Sequence, residues 1–376
     1  MDAVMHHSGR IEVPRGLAGV VVAETGLSDV HGDEGWFQYR DRSAVGLAAS
    51  ASFEDVWHLL LIGDLPDPAQ RRVFAERIAR ARDGADVRET VAALRGVTAD
   101  PVAVLKAAWP VLSARRGMSA LYDLDEAGRT ASALELAAVT PTIVALAHRA
   151  GSAPVTTGRG VVADHLANLT GREPDAWAER ALSAYLIAAM DHGFNASTFA
   201  ARVIASTGAD LASCLAGALG ALSGPLHGGA PARALEAIDR FDDVDDIEPW
   251  VRAELASGRR LMGFGHAVYR TADPRARLLR DLAVQRGGHR VEIAVAYERI
   301  AEQVLAEVKP GRGLHANVEL FAAVVMELCG VPRELMTPTF AVARTIGWTA
   351  HAVEQARDPK IIRPAARFTG PAVRAR

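Results

Sequence analysis

The sequence has almost no cysteine. Cys214 and Cys329 are the two in 376 residues, which excludes a disulfide framework and a Cys-x-x-Cys metal site. Each lies inside an apolar helical pattern and reads as a small buried hydrophobe. A charge excess is missing too: 42 Lys and Arg face 45 Asp and Glu, for a net charge of −3. There is thus no electrostatic footprint for nucleic acid or an anionic membrane. Apolar runs are short, of the size of Ala181–Met190, and do not reach the length of a bilayer span. Met1–Pro14 holds His and Arg but no apolar core segment, unlike a secretory signal, so a cytoplasmic protein is expected. The common chemical signatures are absent as well. There is no G-x-x-x-x-G-K-[ST], G-x-S-x-G or H-E-x-x-H. Gly263-Phe-Gly265 begins like a dinucleotide loop, but Val268 stands at the last glycine position and no strand precedes it. Nucleotide hydrolysis, dinucleotide oxidoreduction, serine hydrolysis and zinc proteolysis lose their main support. His192, His227 and His266 are 35 and 39 residues apart with no His or Glu one helical turn away, so no metal site is expected.

What is present is mostly helix. Residues 1–14 read as a loose tail in which His6 and His7 are solvated. Valine-rich Gly19–Thr25 and alternating Trp36–Arg40, joined by the turn-rich Asp29–Gly35, predict a small β-hairpin. From Ser52 the period is helical. Ser52-Phe-Glu-Asp55 is a capping box opening a helix that stops at Gly63. Pro68–Arg82, Pro101–Arg115, Glu126–Ala150, Pro174–Met190, Asn195–Ser206 and Asp210–Ser223 follow. Pro141 is expected to kink the third of these. Pro174–Met190 is apolar on nearly every face and should be central. After Gly224-Pro225 come shorter, more charged helices at Pro231–Arg240, Ile247–Ser257, Pro274–Arg286, Val291–Val308 and Val318–Gly330. Pro338–Arg357 is a long helix and Lys360–Pro371 an extended tail. The pattern predicts an all-α protein. Residues 230–335 would form a small helical domain, and 1–229 with 336–376 a discontinuous large one.

Polar residues collect where these helices break. His227 sits among glycines in Gly224-Pro-Leu-His-Gly-Gly229; glycines let a ligand approach the backbone closely, while the plain alternative is a helix C-cap with a solvated imidazole. His192 follows the most apolar helix and could equally be a satisfied core histidine. Glu319 falls in the first turn of a helix N-capped by Asn317, as a rigid proton acceptor or simply as an acid complementing the helix dipole. Arg344 shares a face with Trp348 and His351, and a charge there needs an anion to offset desolvation. For Arg275, Arg344 and Arg363 the alternative is an internal salt bridge. Together they favour a small polycarboxylate, held bidentately by planar guanidinium groups.

Gly263-Phe-Gly-His-Ala-Val-Tyr-Arg-Thr-Ala-Asp-Pro-Arg275 resembles the signature of the citrate synthase family along its whole length, as does Gly224-Pro-Leu-His-Gly-Gly229. The resemblance extends to Gly19–Thr25 with Tyr39-Arg40, Ser52–Pro66, Asp191-His-Gly-Phe-Asn-Ala-Ser-Thr198, Arg344-Thr-Ile-Gly-Trp-Thr-Ala-His351 and Ile362-Arg363-Pro364. It covers roughly residues 16–372, in family order.

The resemblance implies an all-α homodimer with two domains closing over acetyl-CoA and oxaloacetate, and no metal or other cofactor. It implies that His227 donates to the thioester carbonyl, Glu319 takes the methyl proton and His266 acts on the keto group. His192, Arg275 and Arg344 would hold oxaloacetate, joined by Arg363 of the other subunit. Arg270 would meet the CoA phosphates, and Leu261, Met262, Gly263 and Gly265 its adenine. One position departs: the family usually has Asn-Val-Asp-Phe, and this chain has Asn317-Val-Glu-Leu320. A base one methylene longer must reach the same point from another rotamer or a shifted helix, and a displacement near 1 Å can cost on the order of 100-fold. The expected activity is citrate synthesis. The alternatives are 2-methylcitrate synthesis from propionyl-CoA and, outside catalysis, a regulatory paralogue that binds CoA or oxaloacetate.

Overall fold

Aspartate and asparagine open many of the helices, and their side chains decide where each begins. The structure, a computed structural model, describes residues 11–82, 84–149, 151, 153–225, 227–228 and 230–371. It starts with a three-stranded antiparallel sheet, β1 (Ser28–His31), β2 (Trp36–Tyr39) and β3 (Arg42–Ser43), paired in that order with Ser28 opposite Tyr39. Helices α1 (Ala44–Ser50), α2 (Phe53–Ile62), α3 (Pro68–Arg82), α4 (Ala85–Arg95), α5 (Pro101–Arg115) and α6 (Glu126–His148) follow. Then come α7 (Val161–Thr170), α8 (Ala176–Ala189), α9 (Ala196–Ala205), α10 (Leu211–Leu222) and α11 (Ala230–Ile238). The chain ends through α12 (Ile247–Ala256), α13 (Pro274–Arg286), α14 (His289–Val308), α15 (Val318–Leu328) and α16 (Met336–Gln355). Asp100, Asp125, Asp175, Asn195, Asp210, Asp273 and Asn317 each accept a first-turn N–H of the helix they precede. Such caps are typically worth about 1 kcal/mol.

Helix α16 forms the centre. It is buried along nearly its whole length and packs against α6, α8, α9 and α10. Helix α6 runs through Pro141 as one continuous helix. By length and apolarity α6 could also cross a bilayer, which the reading of short apolar runs missed. It is mostly buried, with α3, α4, α5 and α16 packed around it, and is a core helix. Along the rest of the chain α13 packs on α15 and α8, α12 on α14, and α11 on α15 and α16.

The all-α expectation with a small N-terminal sheet holds, but the first strand is misplaced. Gly19–Thr25 is not a strand; Gly16, Leu17 and Gly19 have positive φ, and Val21 is exposed, so the valines have no core face to fill. The strand forms instead at Ser28–His31, across the start of the expected link, because Phe37 and Tyr39 of β2 are buried and pair it there. The Tyr39 hydroxyl lies 2.8 Å from Ile187 O and 2.9 Å from Asp191 O and accepts the Asp191 N–H. This pins the sheet to the end of α8. His6 and His7 lie outside the described residues.

Candidate active site

Helix α8 ends at Ala189, and the chain then runs through Met190-Asp191-His192. Arg344 of α16 lies against this end and donates from Nε to Ala189 O at 2.8 Å. Gly347, one turn on, permits the approach: a Cβ there would sit 2.3 Å from Met190 O. Arg344 is buried, its guanidinium 4.8 Å from the Phe340 ring centre, and burial lowers its pKa. Among the described residues no acceptor meets its two terminal amino groups. A buried guanidinium left this way calls for a planar anion. Behind it the Asp191 carboxylate accepts from the Ser28 hydroxyl and lies 3.2 Å from His351 Nε2. His351 Nδ1 in turn faces Arg202, which pairs with Glu354.

Two histidines belong to this wall. His192 Nε2 lies 3.0 Å from the Tyr269 hydroxyl, and its ring packs edgewise on Phe37 and His266. Burial, then Arg275, His266 and Arg344, hold its pKa well below the usual value. His227 Nε2 lies 2.9 Å from Ser197 Oγ, which accepts the Trp348 indole N–H at 3.2 Å. Burial and then Arg344 push His227 down to about 4. Both rings are therefore neutral at pH 7 and offer one donor each.

The facing wall is built from loop 261–275 and the start of α15. Phe264 and Ala316 form an antiparallel bridge, with Gly265 N–H on His315 O and Asn317 N–H on Gly263 O, both at 2.8 Å. Gly263 and Gly265 have φ of 85° and 81°, a region that favours glycine. Asn317 does two jobs: its Oδ1 accepts the Glu319 N–H at 3.0 Å, and its Nδ2 donates to Gly265 O at 2.9 Å. The segments carrying His266 and Glu319 are thus fastened together. From outside, the hairpin turn supports the loop: Gly32 O accepts the Arg270 N–H, and a Cβ on Gly32 would sit 2.4 Å from Val268 O.

His266 Nδ1 accepts the N–H groups of Val268 and Tyr269 at 3.0 and 3.1 Å, which places the proton of the neutral ring on Nε2. Burial, then Arg275, keep its pKa at about 4. Nε2 stands 3.3 Å from an Arg275 amino group. Two donors at that distance need an oxygen between them that neither supplies. Arg275 is buried and held by both oxygens of Asp273 at 3.0 and 2.8 Å. Asp273 also accepts the Val318 N–H at 3.1 Å, tying this pair to α15. Glu319 is half-buried, and among the described residues nothing hydrogen-bonds its carboxylate. Burial raises its pKa to about 7, against the pull of Arg275 and Arg344. A carboxyl so placed is a general base poised near neutrality.

The other expected residues divide. Leu261 is buried in the core and Met262 half-buried, so the side chain of Leu261 is not free for a ligand. Arg270 is exposed, and its guanidinium curls onto the carbonyls of its own loop, His266, Ala267 and Tyr269, at 3.3–3.4 Å. Arg363 lies in the exposed tail, and among the described residues no contact joins it to the cluster.

Residues 16–365 match the model of the citrate synthase C-terminal domain, nearly the whole chain. The chain belongs to the citrate synthase family. It is 36% identical over 367 residues to the citrate synthase of Synechocystis, covering 94% of this chain and 90% of the relative. It is 34% identical over 365 residues to the 2-methylcitrate synthase of Shewanella oneidensis, covering 94% of each. Among solved structures it superposes on the citrate synthase of Thermoplasma acidophilum in ternary complex with carboxymethyl coenzyme A and oxaloacetate, with a TM-score of 0.88. Identity there is 30%, over 97% of this chain and 98% of that one. This citrate synthase-family chain is an enzyme of the acyltransferase type.

Three residues of the site were not singled out in the sequence: Tyr269, Asp273 and Ser197. All lie inside stretches that carry the resemblance. Their partners, His192, Val318 and His227, are 77, 45 and 30 residues away in sequence, and no local pattern announces such pairings.

Proposed function

We propose that the protein condenses acetyl-CoA with oxaloacetate and hydrolyses the resulting citryl-CoA to citrate and CoA. The observation that carries this is the meeting of a general base poised near pH 7 with neutral imidazoles and a buried arginine, Arg344, that lacks an anion. Arg344, Arg275 and His192 hold the two carboxylates of oxaloacetate. Ser197, whose hydroxyl donates to Asn195 Oδ1 at 2.7 Å, holds the His227 ring at Nε2 and turns it toward the thioester oxygen. Glu319 removes a proton from the acetyl methyl while His227 stabilises the enolate oxygen. A donor at a developing oxyanion is typically worth about 2.7–4 kcal/mol. The enolate carbon attacks the keto carbon of oxaloacetate. His266 gives the Nε2 proton to the new alkoxide, with Arg275 beside it to balance the charge. Water then adds to the thioester carbonyl and CoA leaves as the thiol.

The small domain, residues 230–335, closes on the large one, so that water is excluded until the carbon–carbon bond has formed. Two chains associate, and Arg363 reaches the neighbouring site. Arg270 leaves its loop carbonyls for the CoA phosphates. The chemistry needs no metal or prosthetic group, because the imidazoles polarise both carbonyls, and the enzyme works in the cytoplasm.

The name of the Shewanella relative supports a second reading, with propionyl-CoA and 2-methylcitrate. One methylene in an apolar pocket is worth only about 1–3 kcal/mol. Thiol release from acetyl- and propionyl-CoA, measured in parallel with oxaloacetate, decides between them. A kcat/KM for acetyl-CoA well above that for propionyl-CoA is expected; an equal or higher value for propionyl-CoA overturns the choice. No release from either, with oxaloacetate still bound, would make the protein a regulatory binder.

A further inference from the structure

The three histidines of the site are each tied at one ring nitrogen. The ties at His266 and His227 are accounted for above. The third, on His192, comes from a side chain to which the reaction gives no part. Tyr269 is buried, and its hydroxyl lies 3.0 Å from His192 Nε2. We propose that Tyr269 is a positioning residue whose hydroxyl donates to His192 Nε2, so that His192 carries its proton on Nδ1 and offers that N–H to the dicarboxylate substrate. The inference rests on the reading that the site takes oxaloacetate.

The direction of the bond follows from counting donors and acceptors. Among the described residues the Tyr269 hydroxyl has no acceptor other than His192 Nε2, and His192 Nδ1 has no partner. If His192 donated instead, the phenol proton would be stranded. A buried donor left without an acceptor typically costs about 1–3 kcal/mol. Nδ1 would then be a lone pair at a site where Arg275 and Arg344 call for an anion, and it would repel the carboxylate they attract. With the phenol donating, the one proton left over is the Nδ1–H, which takes the substrate carboxylate as its acceptor, and His192 adds a third donor to the two arginines. Burial raises the Tyr269 pKa, which keeps the phenol protonated across the working range.

Tyr269 also acts through its backbone, since its N–H donates to His266 Nδ1. One residue thereby sets the proton of two histidines. The two roles separate cleanly. Tyr269→Phe removes the hydroxyl but keeps the N–H bond to His266. It also keeps the ring faces that meet His266 at 4.8 Å and the Arg275 guanidinium at 5.8 Å.

The test uses the full-length enzyme labelled with 15N-histidine. Long-range 1H–15N correlation reads the protonated nitrogen of each ring, with His192→Gln to assign the signal. In the unliganded wild type, His192 should show protonated Nδ1 and bare Nε2. In Tyr269→Phe that signature should give way to a mixture or to the opposite tautomer. KM for oxaloacetate should rise about tenfold, the loss of one hydrogen-bond preference, while kcat and KM for acetyl-CoA move less than about threefold. The proposal is overturned if wild-type His192 carries its proton on Nε2, or if KM for oxaloacetate stays put when the tautomer changes. Should the variant fail to fold, the wild-type spectrum alone decides. Failure of the oxaloacetate reading is separate: it appears as no thiol release by the wild type, whatever tautomer the free protein shows.

Discussion

The wall made by α8 and α16 and the wall made by loop 261–275 with the start of α15 face one small space with opposite construction. On the first, Arg344 in the middle of α16 and His192 just past the end of α8 are locked by burial, by Gly347 against Met190 and by Tyr39 against Asp191. On the second, His266 and Glu319 hang on a glycine-containing loop and a helix start, fastened by backbone bonds and the Asn317 side chain. The helical wall holds charge that awaits a counterion. The loop wall holds the groups that move protons. Binding asks for groups whose rotamers are already fixed, whereas proton transfer asks for a base that can be brought up and sealed from water.

The comparison is sharpest at Glu319. Glu319→Gln should lower kcat by roughly 1,000-fold, within the usual range for a general base, and leave the Kd for oxaloacetate within about twofold. Thiol release and methyl proton exchange read the loss of catalysis, and calorimetry reads the Kd. Intact exchange with lost oxaloacetate binding would reverse the assignment of the walls. Arg344→Leu should do the opposite, weakening oxaloacetate about 100-fold, the scale of charge-assisted hydrogen bonds, with KM for acetyl-CoA little changed. A larger effect on the CoA thioester would place the arginine on the wrong substrate.

Asn317→Ala tests whether the loop wall depends on its strap. The lost cap should destabilise by about 1 kcal/mol, and the loosened base should lower kcat about tenfold. Asp210→Ala removes a comparable cap from α10, outside the site, and should lower Tm similarly while sparing kcat. Equal kcat losses in the two variants would mean that Asn317 acts through stability alone. An effect of the same size is expected from pH. Because catalysis needs Glu319 ionised and its pKa is raised to about 7, kcat/KM should fall about tenfold between pH 8 and pH 6. His227 and His266, at about 4, add no limb there. A profile flat to pH 5 would remove Glu319 as the titrating base.

Many helix bounds and faces were legible because their signals are local. Helix α13 begins and ends where Asp273-Pro274 and Gly287 place it, and Arg344, Trp348 and His351 share the face their spacing gives. The failures have long-range causes. Helix α7 has no cap of its own; Glu54, 107 residues earlier, accepts the Val161 N–H at its start. Helix α1 is seven residues long with Gly46 inside it, too short and too weak in propensity to show a period. Helix α4 also went unread between its charged neighbours, opening at Gly84 with no side-chain cap. The bridge between Phe264 and Ala316 joins two stretches that each look like an ordinary loop. Glu319 could be suspected from its helix-start position, but its raised pKa comes from burial by distant elements.

The hairpin turn at Gly32 has an optical consequence. Trp36 stacks on His31 with ring centres 3.8 Å apart and keeps part of its surface exposed. These residues flank the turn whose Gly32 carbonyl holds the Arg270 N–H of the catalytic loop. Any shift of that loop pulls on the base of the stack. A stacked imidazole quenches indole emission, so the emission of Trp36 would change as the loop's position alters the stack. The three-stranded sheet is thus placed as a built-in fluorophore, its Trp36 reporting from the surface on a site that its Phe37 backs.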